Sequence, residues 1–271
     1  MNIFRHIRNA IIFTASFTGV TLLYRMYLRR NGPLVRVLVF HDVTDASWFR
    51  SVLNALHERY HLISPQDFLE SRFHPSRINI LITFDDGYSS WVDICLPVLT
   101  ETRTQALFFI NSGLVEVSGN STERERYIRD RLFISPRAIL SWNGVVELYR
   151  NGHMIGGHTT THTRLSLLQE REQRDEIVND KALIESRIGG TLSTFAYPFG
   201  QRTDYTSVTG RLLKESKYAY AFTTEGVFAS TQNPYAVSRL CLESDMPLSV
   251  LSRWIEGGYD IYQKIKKICV R

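Results

Sequence analysis

Two short strings in the 271-residue sequence combine residue types that can bind a metal ion and hydrolyse a bond. Asp85 and Asp86 follow an apolar, β-rich run at 78–84, and further along His158 and His162 lie four residues apart. A spacing of four places two imidazoles on the same face of one helical turn. One carboxylate with two imidazoles would leave a coordination position of a metal ion open, as catalytic sites do. The second carboxylate is then free to act as a base.

Each string alone has a simpler explanation. Asp-Asp-Gly is most often a turn after a strand, and two histidines four residues apart are more often ordinary surface or core residues. The metal-site interpretation gains weight because both strings fall at strand ends in a repeating βα pattern.

The chain after residue 31 alternates between strand and helix patterns. Strands are predicted at 35–40, 78–84, 106–110, 154–157, 194–197, 219–223 and 236–240, and helices at 47–59, 91–100, 170–188, 206–216, near Ser64, after Ser141 and after Pro247. About seven strands separated by helices predict an α/β fold with parallel strands, and a (β/α) barrel is favoured over an open sheet. His41, Asp85, Asp86, His158 and the turn at 197–200 then all lie at the C-terminal strand ends, where such barrels place their chemistry.

Charge is distributed unevenly along the chain. The net charge is +5, but residues 1–41 contain six arginines and no acidic residue. The remainder has 26 basic and 27 acidic residues, so the body is near neutral and no nucleic-acid partner is expected. The three cysteines have no metal-ligand spacing, and at least one is free unless it pairs with another chain.

An uncharged, mostly apolar run at 10–24 lies between arginines on both sides. It is shorter than the roughly 20 residues that cross a bilayer, and extending it to residue 28 includes Arg25. An interfacial helix and a tilted single span both remain open, as does a buried core helix; a signal peptide is less favoured because no convincing cleavage site follows. We expect a membrane-anchor helix in residues 1–31 and a catalytic domain in 32–271, hence association with a cell membrane. The arginines leave the side of the membrane open.

The motifs resemble those of the polysaccharide deacetylases, carbohydrate esterase family 4, over residues 35–245. Residues 83–87 (TFDDG) match the first motif of this NodB homology domain, and His158 and His162 match the second. Residues 195–200 (FAYPFG) resemble the third motif, without the usual preceding arginine. Residues 39–43 (VFHDV) are similar to the opening of the poly-N-acetylglucosamine deacetylase branch.

The resemblance implies a distorted (β/α) barrel that removes N-acetyl groups from an amino-sugar polymer or glycan. It implies one divalent metal ion, usually zinc, and the ligand types do not exclude other transition metals. The roles it implies are Asp86, His158 and His162 as metal ligands, Asp85 as base, Tyr197, Pro198 and the Phe199 N–H for the oxyanion or substrate, and Leu165 and Leu240 for the acetyl methyl group.

The general acid departs from the family pattern. Most members take a histidine from a late motif, where this chain has the residues 238–241 (SRLC), and no histidine follows His162. His41 is then the candidate acid, although it could also be a strand-end histidine satisfied by backbone; its competitor His153 is interpreted as structural. Arg239 could replace the missing arginine that pairs with the base, or form a surface ion pair.

Two other functions remain open. The same fold could deacylate a lipid-linked sugar or an O-acetyl ester, because the residues nearest the metal cannot separate these substrates. A catalytically inactive carbohydrate-binding homologue is the other alternative, and the intact set of two aspartates and two histidines argues against it.

Overall fold

The computed structural model describes residues 3–243 and 246–269 and contains a closed barrel of seven parallel strands. The strands are β1 (Val35–Phe40), β2 (His61–Leu62), β3 (Asn79–Asp86), β4 (Ala106–Ile110), β5 (Met154–Gly157), β6 (Thr194–Ala196), β7 (Tyr220–Thr223) and β8 (Val237–Cys241). The ring runs β1-β8-β7-β6-β5-β4-β3 and closes where β1 pairs with β3, while β2 joins only the first part of β3. The predicted α/β barrel is confirmed. It is irregular at β5 and β6, which share the single pair Gly157 and Phe195.

The helices surround this ring, and most lie where the sequence predicts them. They are α1 (Ile3–Phe17), α2 (Val20–Arg29), α3 (Ala46–Arg59), α4 (Pro65–Leu69), α5 (Leu96–Glu101), α6 (Ser112–Glu116), α7 (Ser121–Tyr127), α8 (Trp142–Arg150), α9 (Glu170–Ile188), α10 (Ser207–Glu215), α11 (Leu248–Arg253) and α12 (Tyr259–Cys269). Single π-helical turns cover Trp91–Cys95, Ile128–Leu132 and Trp254–Gly258, and a 3₁₀ turn covers Leu165–Leu167. The helices predicted near Ser64 and Ser141 begin as expected, because each side chain caps the backbone N–H three residues on.

Strand alternation sorts side chains into two cores. On β3, Leu81 belongs to a small inner cluster with Phe109 and Phe222, whereas Ile82 and Phe84 belong to the larger cluster under the helices. Successive strand residues point to opposite faces, so every second side chain fills the barrel. The side chains at the C-terminal ends of the inner rows therefore line the mouth of the barrel.

The N-terminal segment forms two helices rather than the single helix expected in residues 1–31. Gly19 has φ 76° at the junction, and the two helices are bent by 73° relative to each other. No single helix in the described part of the chain is long and apolar enough to cross a membrane. The two bent helices reach the length and apolar composition of a membrane span only when they are counted together. Both helices pack on the body, where Ile12 and Thr21 are buried.

A buried ion pair fastens the C-terminal segment to the barrel. Arg36 on β1 and Asp260 on α12 are both fully buried, with Nη2 and Oδ2 2.6 Å apart. The Arg36 guanidinium also donates to the carbonyls of Ile255 and Gly226, and the second Asp260 oxygen accepts the Phe228 N–H. Such a pair is tolerated in the interior because its remaining donors and acceptors are satisfied.

We expect Arg36→Met to lower the free energy of unfolding by about 3–5 kcal/mol, because it leaves the Asp260 carboxylate buried without its partner. Denaturant titration measures this. Arg36→Met combined with Asp260→Leu should recover much of the loss. Arg50→Ala, which removes an exposed pair with Glu101, is the matched control and should cost about 0–1 kcal/mol. A single variant as stable as the control would contradict this role of the pair.

Candidate functional site

A cavity of about 660 Å³ opens at the C-terminal ends of the strands. Its wall contains most of the residues singled out in the sequence: His41, Asp85, Asp86, His158, His162, Tyr197 and Phe199. The barrel therefore brings together residues that are up to 158 positions apart, as the strand-end argument predicts.

Asp86, His158 and His162 form a compact, buried group. Asp86 Oδ1 lies 3.4 Å from His158 Nε2 and 3.3 Å from His162 Nε2, and the three donor atoms fall within 4.8 Å of one another. Burial alone would raise the pKa of Asp86, but its hydrogen bonds to the two imidazoles outweigh burial and hold the pKa well below its usual value. An ionised carboxylate beside two imidazoles is a donor set that suits a transition-metal ion.

The second nitrogen of each imidazole is also engaged. His158 Nδ1 lies 2.8 Å from the Ala196 carbonyl, and His162 Nδ1 lies 3.2 Å from the Arg131 carbonyl. A carbonyl only accepts, so both Nδ1 atoms carry a proton, and the Nε2 atom of each ring faces Asp86. Metal-binding histidines are held in this way by an acceptor behind the ring. The residues present therefore fit a bound metal ion.

The two histidines lie on a loop and not on the helical turn that their spacing suggests. β5 ends at Gly157, and Thr159 and His162 have φ values of 64° and 52°, which no right-handed helix permits. The Asn111 side chain holds this loop by donating to the His158 and Thr159 carbonyls. The helical expectation was wrong because the chain must turn back sharply to aim both rings at one carboxylate.

Asp85 is held by Arg239 of β8 inside the barrel. Asp85 Oδ1 and Oδ2 accept from the two Nη atoms of Arg239 at 2.6 and 2.7 Å, and the arginine is fully buried. Burial alone would raise the pKa of Asp85, but the positive charge of Arg239 outweighs burial and holds the pKa below its usual value. The expected pairing of Arg239 with Asp85 is present, and the surface-pair alternative does not apply.

Both adjacent aspartates reach the same cavity, although alternation along a strand would send them to opposite faces. Asp86 has φ 87°, and Gly87 follows with φ 129°. This left-handed turn at the end of β3 redirects the second carboxylate towards the histidines. Tyr88 then donates to Asp86 Oδ2 at 3.0 Å and fixes its orientation.

The turn at 197–200 forms another part of the wall. Phe199 has φ 61°, and the Gly200 N–H donates to the Pro198 carbonyl. Within the described residues no group accepts from the Phe199 N–H, which is the expected oxyanion donor. The Phe199 ring packs 4.9 Å from the His162 ring, and Tyr197 is anchored by donating to the Tyr235 carbonyl.

Leu165 and Leu240 do not reach this cavity. Both are buried in the core between strands and helices. On β8 the side chains of Arg239 and Cys241 face the barrel, so Leu240 between them faces outward. The apolar part of the cavity wall instead contains Leu132, Ile134 and Leu242.

The two candidate acids occupy different places. His41 is exposed on the cavity wall, and its carbonyl accepts the Trp91 indole N–H at 2.9 Å. His153 lies outside the cavity, where its Nδ1 accepts the Ala106 N–H, and burial lowers its pKa to about 4. These placements favour His41 as the acid and agree with a structural role for His153.

Asp180 of α9 supports the site and was not identified from the sequence. Its carboxyl is fully buried and accepts the Ser112 N–H at 3.1 Å and the His158 N–H at 2.9 Å. Burial raises the pKa of Asp180 to about 7. A signal was present, because Asp180 falls between Ile177 and Ile184 on the apolar stripe of a helix.

Asp180→Ala should lower the free energy of unfolding by about 2–6 kcal/mol, because two buried N–H groups lose their acceptor at roughly 1–3 kcal/mol each. It should also weaken metal binding about 10–100-fold, as loss of a partner behind a ligand does. Denaturant titration and metal titration measure the two effects. Asp175→Ala, on the exposed face of the same helix, should change neither. Unaltered metal affinity in Asp180→Ala would rule out its positioning role.

Comparisons with known proteins agree with the motifs in the sequence and with the fold. The family model described as polysaccharide deacetylase matches residues 74–221. YxkH of Bacillus subtilis (strain 168), a protein named as a polysaccharide deacetylase, is 24% identical over 233 residues, which are 82% of this chain and 76% of YxkH.

Two solved structures share the fold. The deacetylase PplD of Streptococcus pyogenes in complex with acetate superposes with a TM-score of 0.69 and 18% identity, over 83% of this chain and 99% of PplD. A de-N-acetylase from Aggregatibacter actinomycetemcomitans gives a TM-score of 0.66 and 17% identity, over 81% of this chain and 99% of that one.

Proposed function

Because the chain belongs to the polysaccharide deacetylase family, we propose that it is a metal-dependent hydrolase that removes N-acetyl groups from an amino-sugar polymer or glycan. Its membership confirms the resemblance seen in the motifs. The observation that carries the proposal is the pairing of a buried Asp-His-His group with a second, arginine-held aspartate on one cavity wall. The name of the de-N-acetylase among the structural neighbours supports the choice of an N-acetyl group.

In this proposal Asp86 Oδ1, His158 Nε2 and His162 Nε2 would hold the metal ion. When bound, a divalent transition metal, with zinc the first candidate for this donor set, supplies a Lewis acid for the acetamide carbonyl and an acidified water. The chain's own contribution is orientation, because the Ala196 and Arg131 carbonyls keep both imidazoles in the tautomer that presents Nε2.

Asp85 accepts the proton of the attacking water. It must be ionised to do so, and the buried Arg239 charge keeps it ionised at neutral pH. Arg239 occupies one lone pair on each Asp85 oxygen, so each oxygen retains a second lone pair for the water. The ion pair thus sets both the charge and the direction of the base.

Phe199 and His41, both on the cavity wall, complete the proposed reaction. The free Phe199 N–H donates to the carbonyl oxygen as it gains negative charge. His41 then gives a proton to the sugar nitrogen, the C–N bond breaks, and acetate and a free amine leave. The polar groups that line the cavity, among them Asp42, Arg137 and Thr224, suit the hydroxyl groups of a sugar chain.

Separate substitutions of the two aspartates test this division of labour. Asp86→Ala should lose both bound metal and acetate release from N-acetylglucosamine oligomers. Asp85→Asn should retain the metal while the rate falls about 10²–10⁴-fold, the usual contribution of a positioned base. Added metal should raise the melting temperature of Asp85→Asn and not that of Asp86→Ala, because only the former binds it.

Three outcomes of this experiment would count against the proposal. Equal metal loss in both variants would refute the assigned roles, and full activity after treatment of the wild type with a chelator would refute metal dependence. A wild type that binds metal and sugar oligomers yet releases no acetate would instead identify a carbohydrate-binding homologue.

His41→Ala should reduce the rate on N-acetyl substrates about 10²–10⁴-fold with metal retained, because an amine needs a proton to leave. An O-acetyl ester has a better leaving group, so its hydrolysis by the same variant should fall far less. His153→Ala is the control outside the cavity and should leave the ratio of the two rates unchanged. An unaltered amide rate in His41→Ala would assign the proton to another group.

A further inference from the structure

The outward face of α1 and α2 is unusually apolar. Among the described residues, half of the large hydrophobic side chains that are exposed lie on these two helices. They include Phe13, Phe17, Leu22, Leu23, Met26 and Tyr27, with Phe17 84% and Leu23 66% exposed. Many exposed apolar side chains close together in the sequence of a globular protein point to an interaction site.

The inward face of the same helices is more polar than the outward one. Arg8 pairs with Glu243 at 3.0 Å, and Arg25 pairs with Glu256 at 2.9 Å, so two charged side chains attach the helices to the body. Thr21 is buried between helix and body. Ile12 and Ala15 of α1 are buried as well, so apolar side chains lie on both faces, whereas a helix on a water-soluble surface keeps its apolar stripe towards the core.

The end of α12 adds positive charge beside this face. Lys264, Lys266 and Lys267 are exposed there with Ile265 and Ile268, and no acidic residue follows Asp260, which is buried in its pair with Arg36. The Lys264 ammonium lies 4.3 Å from the Tyr24 ring of α2, so the lysines adjoin the apolar face. Basic residues beside exposed apolar side chains are typical of helices that lie in the interface of an anionic membrane.

We propose that α1, α2 and the end of α12 form a platform that binds flat on an anionic lipid surface without crossing it. The bend of 73° at Gly19 prevents α1 and α2 from forming one straight span. The ion pairs of Arg8 and Arg25 hold both helices against the body. A lipid surface is favoured over a second copy of the chain because anionic headgroups complement the exposed lysines, whereas a second copy would add more positive charge to the contact.

The position of the platform also determines how far the cavity lies from a bound lipid surface. Arg8 near the start of α1 pairs with Glu243, which lines the cavity, and Phe17 is nine residues, or about 14 Å, further along the helix. A platform on the membrane therefore holds the cavity mouth close to the lipid surface. In combination with the proposed function, this favours a substrate at that surface, such as a membrane-linked glycan.

Vesicle binding tests the platform without any measurement of activity. The full chain should sediment with vesicles of phosphatidylcholine and phosphatidylglycerol, and more weakly with phosphatidylcholine alone or in high salt. The Phe17→Ser, Leu23→Ser, Met26→Ser triple variant should bind at least about tenfold more weakly, because three apolar side chains no longer enter the lipid.

Replacing Lys264, Lys266 and Lys267 by Gln should weaken binding by about 10²-fold, on anionic vesicles only. Val178→Ser, at an exposed apolar position on α9, is the matched control and should bind like wild type.

Depth measurements distinguish a flat platform from a span. Tryptophan placed by Phe17→Trp or Tyr27→Trp should be quenched equally, and best by lipids brominated near the headgroup, after subtraction of the wild-type emission. Deep quenching at position 17 alone would show a span and overturn the proposal. Unchanged vesicle binding by a folded serine variant, checked by its melting curve, would also overturn it. So would a stable dimer that the serine variant dissociates without any loss of lipid binding.

Discussion

The bidentate ion pair between Asp85 and Arg239 is the interaction on which the rest of the site depends. It joins β3 to β8 across the barrel interior, and this is possible because β1 lies between them and closes the ring. Phe109 and Phe222 flank the guanidinium, so water does not screen the pair. Two buried charges are stable only with such complete pairing. Barrel closure therefore brings Arg239 to Asp85, and this one contact keeps the Asp85 carboxylate ionised.

Because Asp85 points into the barrel, the direction of the next side chain, Asp86, is constrained. Strand alternation would turn Asp86 outward, into the layer of helices. The positive φ at Asp86 avoids this, at a cost of about 1–3 kcal/mol that a non-glycine residue incurs in this region. The hydrogen bond from Tyr88 and the contacts with the two imidazoles offset the strain. Strain at the end of β3 is thus the structural basis for two adjacent carboxylates with different partners.

The strands and their ends could be predicted because each is an apolar run that ends in polar or turn-forming residues. The path of the chain beyond a strand end could not, since the turn at His158 to His162 depends on left-handed residues that are not glycine. The outward direction of Leu240 also escaped prediction, because one residue of strand register decides which face a side chain takes. Asp180 of α9, which positions His158, was also missed. Its carboxylate accepts the backbone N–H of His158, and a contact with the backbone requires no recognisable sequence motif.

The first two helices pack against the turn that precedes α12 through two glycines. A Cβ on Gly258 would lie 2.7 Å from Ile12, and Gly257, with φ 103°, lies directly against the Tyr24 ring. Larger residues at either position would displace α1 or α2 from the body. A helix that left the body to cross a bilayer would place no such demand on the C-terminal segment. The close packing at these glycines is therefore better explained by helices that stay on the barrel while their apolar face is covered from outside.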